Sequence, residues 1–216
     1  MAHHLDVGSG EALGAPREVP ELQLGRDRLS LQVDLEDLRP AAGIRGWHLK
    51  VERLYARHPG LGPMSIIGHS MGGLIGRYYV KRLGGDRRVK NLITLGTPHN
   101  GSPSAYFGIV SHGLISRSIW QMTPMSPFIR RLKIGAFPRD VRFASIYSKA
   151  DRVNPFPACI LEDHGHPNLR NIEVVDISHR EFVTRRIVYQ VVRRELALGY
   201  GDPAPLEAVP RLVRLK

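Results

Sequence analysis

Residues 63 to 77 read PMSIIGHSMGGLIGR, a stretch that leaves a chain few ways to fold. A short apolar run, Met64, Ile66 and Ile67, leads directly into Gly68-His69-Ser70-Met71-Gly72, and helix-compatible residues follow from Gly73 and Leu74 onward. The pattern predicts a strand, an abrupt turn and a helix, with a serine at the apex. A turn this tight crowds the backbone two residues before and two residues after the serine, which selects glycine at Gly68 and Gly72. It also lifts the Ser70 hydroxyl above the sheet. The amide of Met71 is left at a helix N-terminus, where partial positive charge stabilises a developing oxyanion.

The flanking sequence extends this unit. Leu29 to Leu35 alternates apolar and polar residues, a strand signal, and a helix is expected from Ile44 to about His58, stopped by Pro59-Gly60. The helix after the serine runs to Gly84-Gly85, and Val89 to Leu95 is a second short buried strand, so strand, helix and strand form a parallel βαβ unit. Strands are expected again at Val141 to Tyr147 and Ile172 to Ile177. A final helix carries Val183, Ile187, Val188, Val191, Val192 and Leu196 on one face and ends at Gly199 and Pro203. The fold class is therefore α/β, a mostly parallel sheet flanked by helices.

Residues 103 to 139 break the rhythm, with Pro124 and Pro127 interrupting a mixture of apolar and polar residues that includes Trp120, Met122 and Phe128. An insertion of this kind at the active face of a sheet is expected to form a cap. Residues 1 to 28 are expected to be a poorly ordered tail and residues 29 to 199 the domain; residues 200 to 216 would be an irregular C-terminal tail.

Composition narrows the chemistry. Cys159 is the only cysteine, which excludes an internal disulfide and a cysteine-based zinc site, and no metal is expected. The net charge of +11 is spread along the chain without an aromatic-basic motif, so no nucleic-acid partner is expected and contact with an anionic lipid surface would be weak. No apolar stretch approaches the ~20 residues of a membrane-spanning helix, and the first thirty residues hold no signal-peptide core. As written the chain reads as cytoplasmic; a start further upstream would make it secreted or envelope-associated.

A serine hydroxyl is a poor nucleophile until a histidine takes its proton, and that histidine needs a carboxylate to fix its tautomer. In a parallel sheet these groups come from loops at the C-terminal ends of strands, which share one edge. His179 stands beyond a strand and before the last helix, and Asp151 stands four residues beyond the preceding strand. The order Ser70, Asp151, His179 results. Asp163, His164 and His166 lie in a proline-bounded loop, Asp176 is read as lying within its strand, and His99 follows a strand but precedes Asp151.

The segments GHSMGGLIGRYY (68 to 79), NLITLGTPHNGS (91 to 102) and SIYSKADRVNP (145 to 155), with Asp176-Ile177-Ser178-His179, resemble the bacterial triacylglycerol lipase and esterase group of α/β hydrolases over roughly residues 40 to 198. The resemblance implies Ser70 as nucleophile, Asp151 as acid, His179 as base and Met71 as an oxyanion amide. The elbow would be formed by Gly68, His69, Gly72 and Gly73. It implies a lid or acyl-pocket wall in 103 to 139, with Trp120, Met122 and Phe128, and places His99 and Ser102 in a loop beside the site. The expected reaction is hydrolysis of an acyl ester or lipid without a cofactor; an acyltransferase or thioesterase would use the same triad.

One feature departs from that group. Its members carry, before the elbow, a strand ending in a His-Gly loop that supplies a second oxyanion amide. The only His-Gly pairs here are His112-Gly113 and His164-Gly165, so the sheet is expected to lack N-terminal strands. Loss of one oxyanion donor costs about 10²- to 10³-fold in turnover. A truncated or non-catalytic relic that binds a lipid or a partner is the second reading.

Overall fold

The computed structural model describes residues 30–32, 40–103, 121–162, 166–200 and 213–215. In chain order these form β1 (Ser30–Gln32), α1 (Pro40–Arg57), β2 (Met64–His69), α2 (Met71–Arg82), a 3₁₀ turn (Gly85–Arg87) and β3 (Val89–Leu95). There follow α3 (Pro127–Lys133), β4 (Arg142–Tyr147), α4 (Phe156–Cys159), β5 (Leu169–Val174), a second 3₁₀ turn (His179–Val183), α5 (Arg186–Tyr200) and β6 (Val213–Leu215).

The strands make one sheet in the order β1-β2-β3-β4-β5-β6. All neighbours from β1 to β5 are parallel, and β6 runs antiparallel to β5. Parallel pairing turns the C-terminal ends of β2, β4 and β5 toward one edge, so the loops that follow them open on the same side.

The interior strands are buried on both faces, and successive side chains alternate between two cores. On one face Ile66, Leu92 and Phe143 pack with Trp47, Val51 and Tyr55 of α1 and with Ile75, Tyr79 and Val80 of α2. Trp47 meets the Tyr79 ring edge-on at 4.7 Å. On the other face Ile93, Ala144, Ile146, Ile172 and Val174 pack with Phe182 and with Val188, Val191 and Val192 of α5. Each such side chain contributes roughly 1.5–3 kcal/mol of transfer free energy when fully buried. The two helical layers are therefore what hold the sheet edge in place.

Several sequence expectations shift. The last parallel strand spans Leu169–Val174 rather than 172 to 177, and Asp176 lies beyond it, exposed, in a left-handed turn with φ 56°. The segment begins with polar residues whose partners are remote: Asn171 bonds both backbone groups of Leu161, and Arg170 faces Glu195. Val183 is 60% exposed, outside the apolar face of α5, and that helix continues past Gly199 to Tyr200. Within the stretch expected to be an irregular tail, Val213–Leu215 pairs with β5. Of the strand expected over 29 to 35, only Ser30–Gln32 is described. Residues 1 to 28 and part of the expected cap, 104 to 120 with Trp120, lie outside the described residues.

Candidate active site

Ser70 sits between the end of β2 and the first residue of α2 with φ 54° and ψ −124°. An L-residue held there carries backbone strain of order 1–3 kcal/mol. What holds it is hydrogen bonding and contact: the Ser70 amide donates to the Leu95 carbonyl at 2.9 Å, and its own carbonyl accepts from Gly73 at 3.2 Å. A Cβ at Gly68 would lie 2.6 Å from the Gly73 Cα, and one at Gly73 would run into the Thr97 side chain. Both glycines are therefore dictated by the close approach of strand and helix. Gly72 is buried in the first turn of α2, and Met71, half-buried beside it, carries an amide at the helix start.

Asp151 and His179 meet. The Asp151 Oδ2 accepts from His179 Nδ1 at 2.8 Å, and its Oδ1 accepts from the amides of Val153 and Asn154, both at 2.9 Å. With 1% of its side chain exposed, Asp151 has nowhere else to point, whereas His179 keeps 13% of its side chain open. Ser148 ties the two loops together, its Oγ accepting from the amides of Ala150 and Ile177 at 3.2 Å each. Glu181 braces the His179 turn by accepting from both the amide and the hydroxyl of Ser178, at 2.9 and 2.6 Å, and those bonds hold its carboxyl below the usual range.

Ser70 and His179 are neighbours through His69. The His69 ring lies 4.6 Å from that of His179, and its Nε2 donates to the His179 carbonyl at 3.0 Å. Burial, then the charge of His179, lowers the His69 pKa below its ordinary value. The Ser70 Oγ itself lies 3.4 Å from Asn154 Nδ2 and makes no hydrogen bond to His179 among the described residues. Asn154 is buried and donates through the same amide group to the Gly96 carbonyl at 2.8 Å, so it joins the serine to both neighbouring loops. No pattern in the sequence singles out Asn154, because its role consists entirely of tertiary contacts. Catalytic hydrogen bonds in ligand-free enzymes are often long or unmade.

The remaining candidates lie away from this contact. Met122 and Phe128 pack against the cluster of Leu74, Ile129 and Leu132, with the Phe128 ring stacked on Tyr78 at 5.5 Å. His99 is fully buried, its Nε2 within 2.9 Å of Thr94 Oγ1 and its carbonyl accepting from Arg77 at 3.2 Å. Ser102 is buried and its hydroxyl donates to the Val153 carbonyl at 3.3 Å, joining the β3 loop to the Asp151 loop. Among the described residues no group of histidine, cysteine and carboxylate side chains forms a metal site.

His99 makes the fold acid-sensitive. Burial first, and the Arg77 charge second, hold its pKa well below 6.5, so it is neutral in the folded chain. The unfolded chain takes up a proton near pH 6.5 that the folded chain refuses. The contribution of His99 is thus present above about pH 6.5 and lost as pH falls below it, by about 1.4 kcal/mol per pH unit while the folded ring stays neutral. Denaturant unfolding at about pH 7.5 and about pH 5 is expected to show a smaller loss of stability for His99→Asn than for the parent. Equal losses would contradict the assignment.

The profile of the palmitoyl protein thioesterase family matches residues 50–151, a span that contains Ser70 and Asp151. No curated protein sequence matches the chain. Among solved structures, a lipase of Bacillus licheniformis is similar with a TM-score of 0.56 at 15% identity, covering 69% of this chain and 71% of that one. A monoacylglycerol lipase of Paleococcus ferrophilus gives a TM-score of 0.51 at 12% identity, covering 73% and 75%. A Listeria innocua protein gives 0.50 at 18% identity, covering 79% and 81%.

Proposed function

We propose that this chain, a member of the α/β-hydrolase superfamily, hydrolyses carboxylic esters through an acyl intermediate on Ser70, with His179 as the base and Asp151 as its orienting partner. The observation that carries the reading is the Asp151–His179 hydrogen bond at 2.8 Å, formed at the sheet edge where Ser70 is held in a strained turn. With Nδ1 of His179 donating to Asp151, its Nε2 is the free acceptor, the tautomer a base requires. In the reaction the Ser70 hydroxyl leaves Asn154 for His179 Nε2, and its oxygen attacks the ester carbonyl as the proton passes to the imidazole. The imidazolium, stabilised by Asp151, returns that proton to the departing alcohol, and water hydrolyses the acyl-serine by the same steps in reverse. The amide of Met71, at the start of α2, faces the developing negative charge.

A thioester substrate is a second reading, supported by the thioesterase profile over 50–151. The same triad serves both, and only the leaving atom differs. The test is turnover of p-nitrophenyl butyrate beside a butyryl thioester by the full chain. Hydrolysis of the oxyester is the expected result. Turnover of the thioester alone would move the function to the second reading, and turnover of neither would overturn both.

A further inference from the structure

On the α2 side of the sheet, away from the serine, a cavity of about 160 Å³ opens between α2, α3, the segment that follows α3 and the approach to β5. Among the described residues its wall carries the cations Arg77, Lys81, Lys133 and Arg139 against a single carboxylate, Glu162. Arg77 and Lys81 lie seven and eleven residues beyond Ser70 on α2, roughly 10 and 16 Å along the helix axis. The cavity is therefore separate from the triad.

The cations here are held by the fold. Arg77 is only 9% exposed; its Nη1 and Nη2 donate to the carbonyls of His99 and Leu132, each at 3.2 Å, while its buried Nε has no partner among the described residues. Lys81 donates to the carbonyls of Leu132 and Gly135, both at 2.8 Å, which leaves the third ammonium proton unassigned. Among the described residues the side chains of Lys133 and Arg139 make no ion pair. His166, also on the wall, is occupied at both ring nitrogens, accepting from the Asn168 amide and donating to the Pro138 carbonyl. Burial pulls the Lys81 ammonium down to about 8, with the charges of Arg77 and Arg82 adding to it.

Four cations facing one carboxylate among the described lining residues is an arrangement that a bound anion completes through charge-assisted hydrogen bonds. The volume is close to that of cavities that hold one benzene-sized molecule, roughly 150 Å³, so the occupant is small. We propose that this cavity binds a small doubly charged oxyanion, a phosphate or a compact dicarboxylate, held by Lys81 Nζ and flanked by Arg77, Lys133 and Arg139. Because the site joins α2 to α3 and to the segment after it, occupancy fastens residues 127–139 to the body of the domain.

Thermal unfolding of the full chain at constant ionic strength, with inorganic phosphate, malonate or chloride, tests this without any assay of activity. At tenfold excess over Kd, phosphate or malonate is expected to raise Tm by about 3–6 °C relative to chloride. Lys81→Met is expected to abolish the shift, while Arg193→Gln on the distant α5 retains it. If Lys81→Met does not fold, the double substitution of exposed side chains, Lys133→Gln with Arg139→Gln, must reduce the shift at least severalfold. No shift with either dianion, or an undiminished shift in the folded variants, overturns the site.

Discussion

Ser70→Ala is expected to lower hydrolysis of p-nitrophenyl butyrate by about 10⁵-fold or more, to the background of the assay, because the substitution removes the oxygen that carries the acyl chain. Alanine keeps the Cβ at φ 54°, so the strain stays and the fold is little changed; what is lost is the oxygen and its 3.4 Å contact with Asn154. Ser70→Gly separates the two effects. It is expected to be equally inactive yet more stable by about 1 kcal/mol, since glycine occupies this backbone conformation without strain. Steady-state rates and denaturant midpoints of the three proteins decide it. A Ser70→Ala protein within tenfold of the parent would place the nucleophile elsewhere.

Asp151→Asn is expected to cost about 10³- to 10⁴-fold in kcat with little change in KM. The reason is in the contacts. The amides of Val153 and Asn154 pin one carboxylate oxygen, so an asparagine there keeps its carbonyl oxygen in that position and turns its amide nitrogen toward His179. The imidazole Nδ1 must then accept, which leaves the hydrogen on Nε2, and a ring protonated at Nε2 cannot take the serine proton. The measurement is kcat and KM of the variant beside its Tm. A loss below tenfold in a folded variant would show that Asp151 does not set the tautomer.

The sequence was most readable where backbone constraint and burial coincide. Gly68 and Gly73 report a contact between strand and helix that admits no Cβ, and the runs through Ile66, Leu92 and Ile146 report strands covered on both faces. The placing of Asp151 and His179 at one edge follows from the parallel sheet together with the chain order of serine, acid and histidine, and the two side chains meet there. The first residues of β5 were not readable because Arg170 and Asn171 are polar for reasons that lie on distant segments, Glu195 and Leu161. The sequence pattern puts Asp176 in a strand because nothing local announces a left-handed aspartate in the turn that follows.

Buried polar residues were the least readable of all. Arg77 looks like an ordinary helix residue after the elbow, yet its guanidinium crosses to the loop of His99 and to the end of α3. Burial brings its pKa down to about 10, the mark of a charge taken out of water. Asn154 likewise sits in the loop after the acid with no local pattern, and only the fold brings it to Ser70. Residues of this kind act across the tertiary structure, so periodicity and spacing carry no trace of them.

The central claim, that Ser70 is a nucleophile activated by the Asp151–His179 pair, is tested most directly by reacting the full chain with a fluorophosphonate and locating the adduct by mass spectrometry. The expected result is one adduct per chain on the peptide containing Ser70, with labelling greatly slowed in the Asp151→Asn and His179→Ala proteins and no adduct at this position in Ser70→Ala. An unlabelled folded protein, or labelling of Ser70 at the same rate when His179 is removed, would contradict the account.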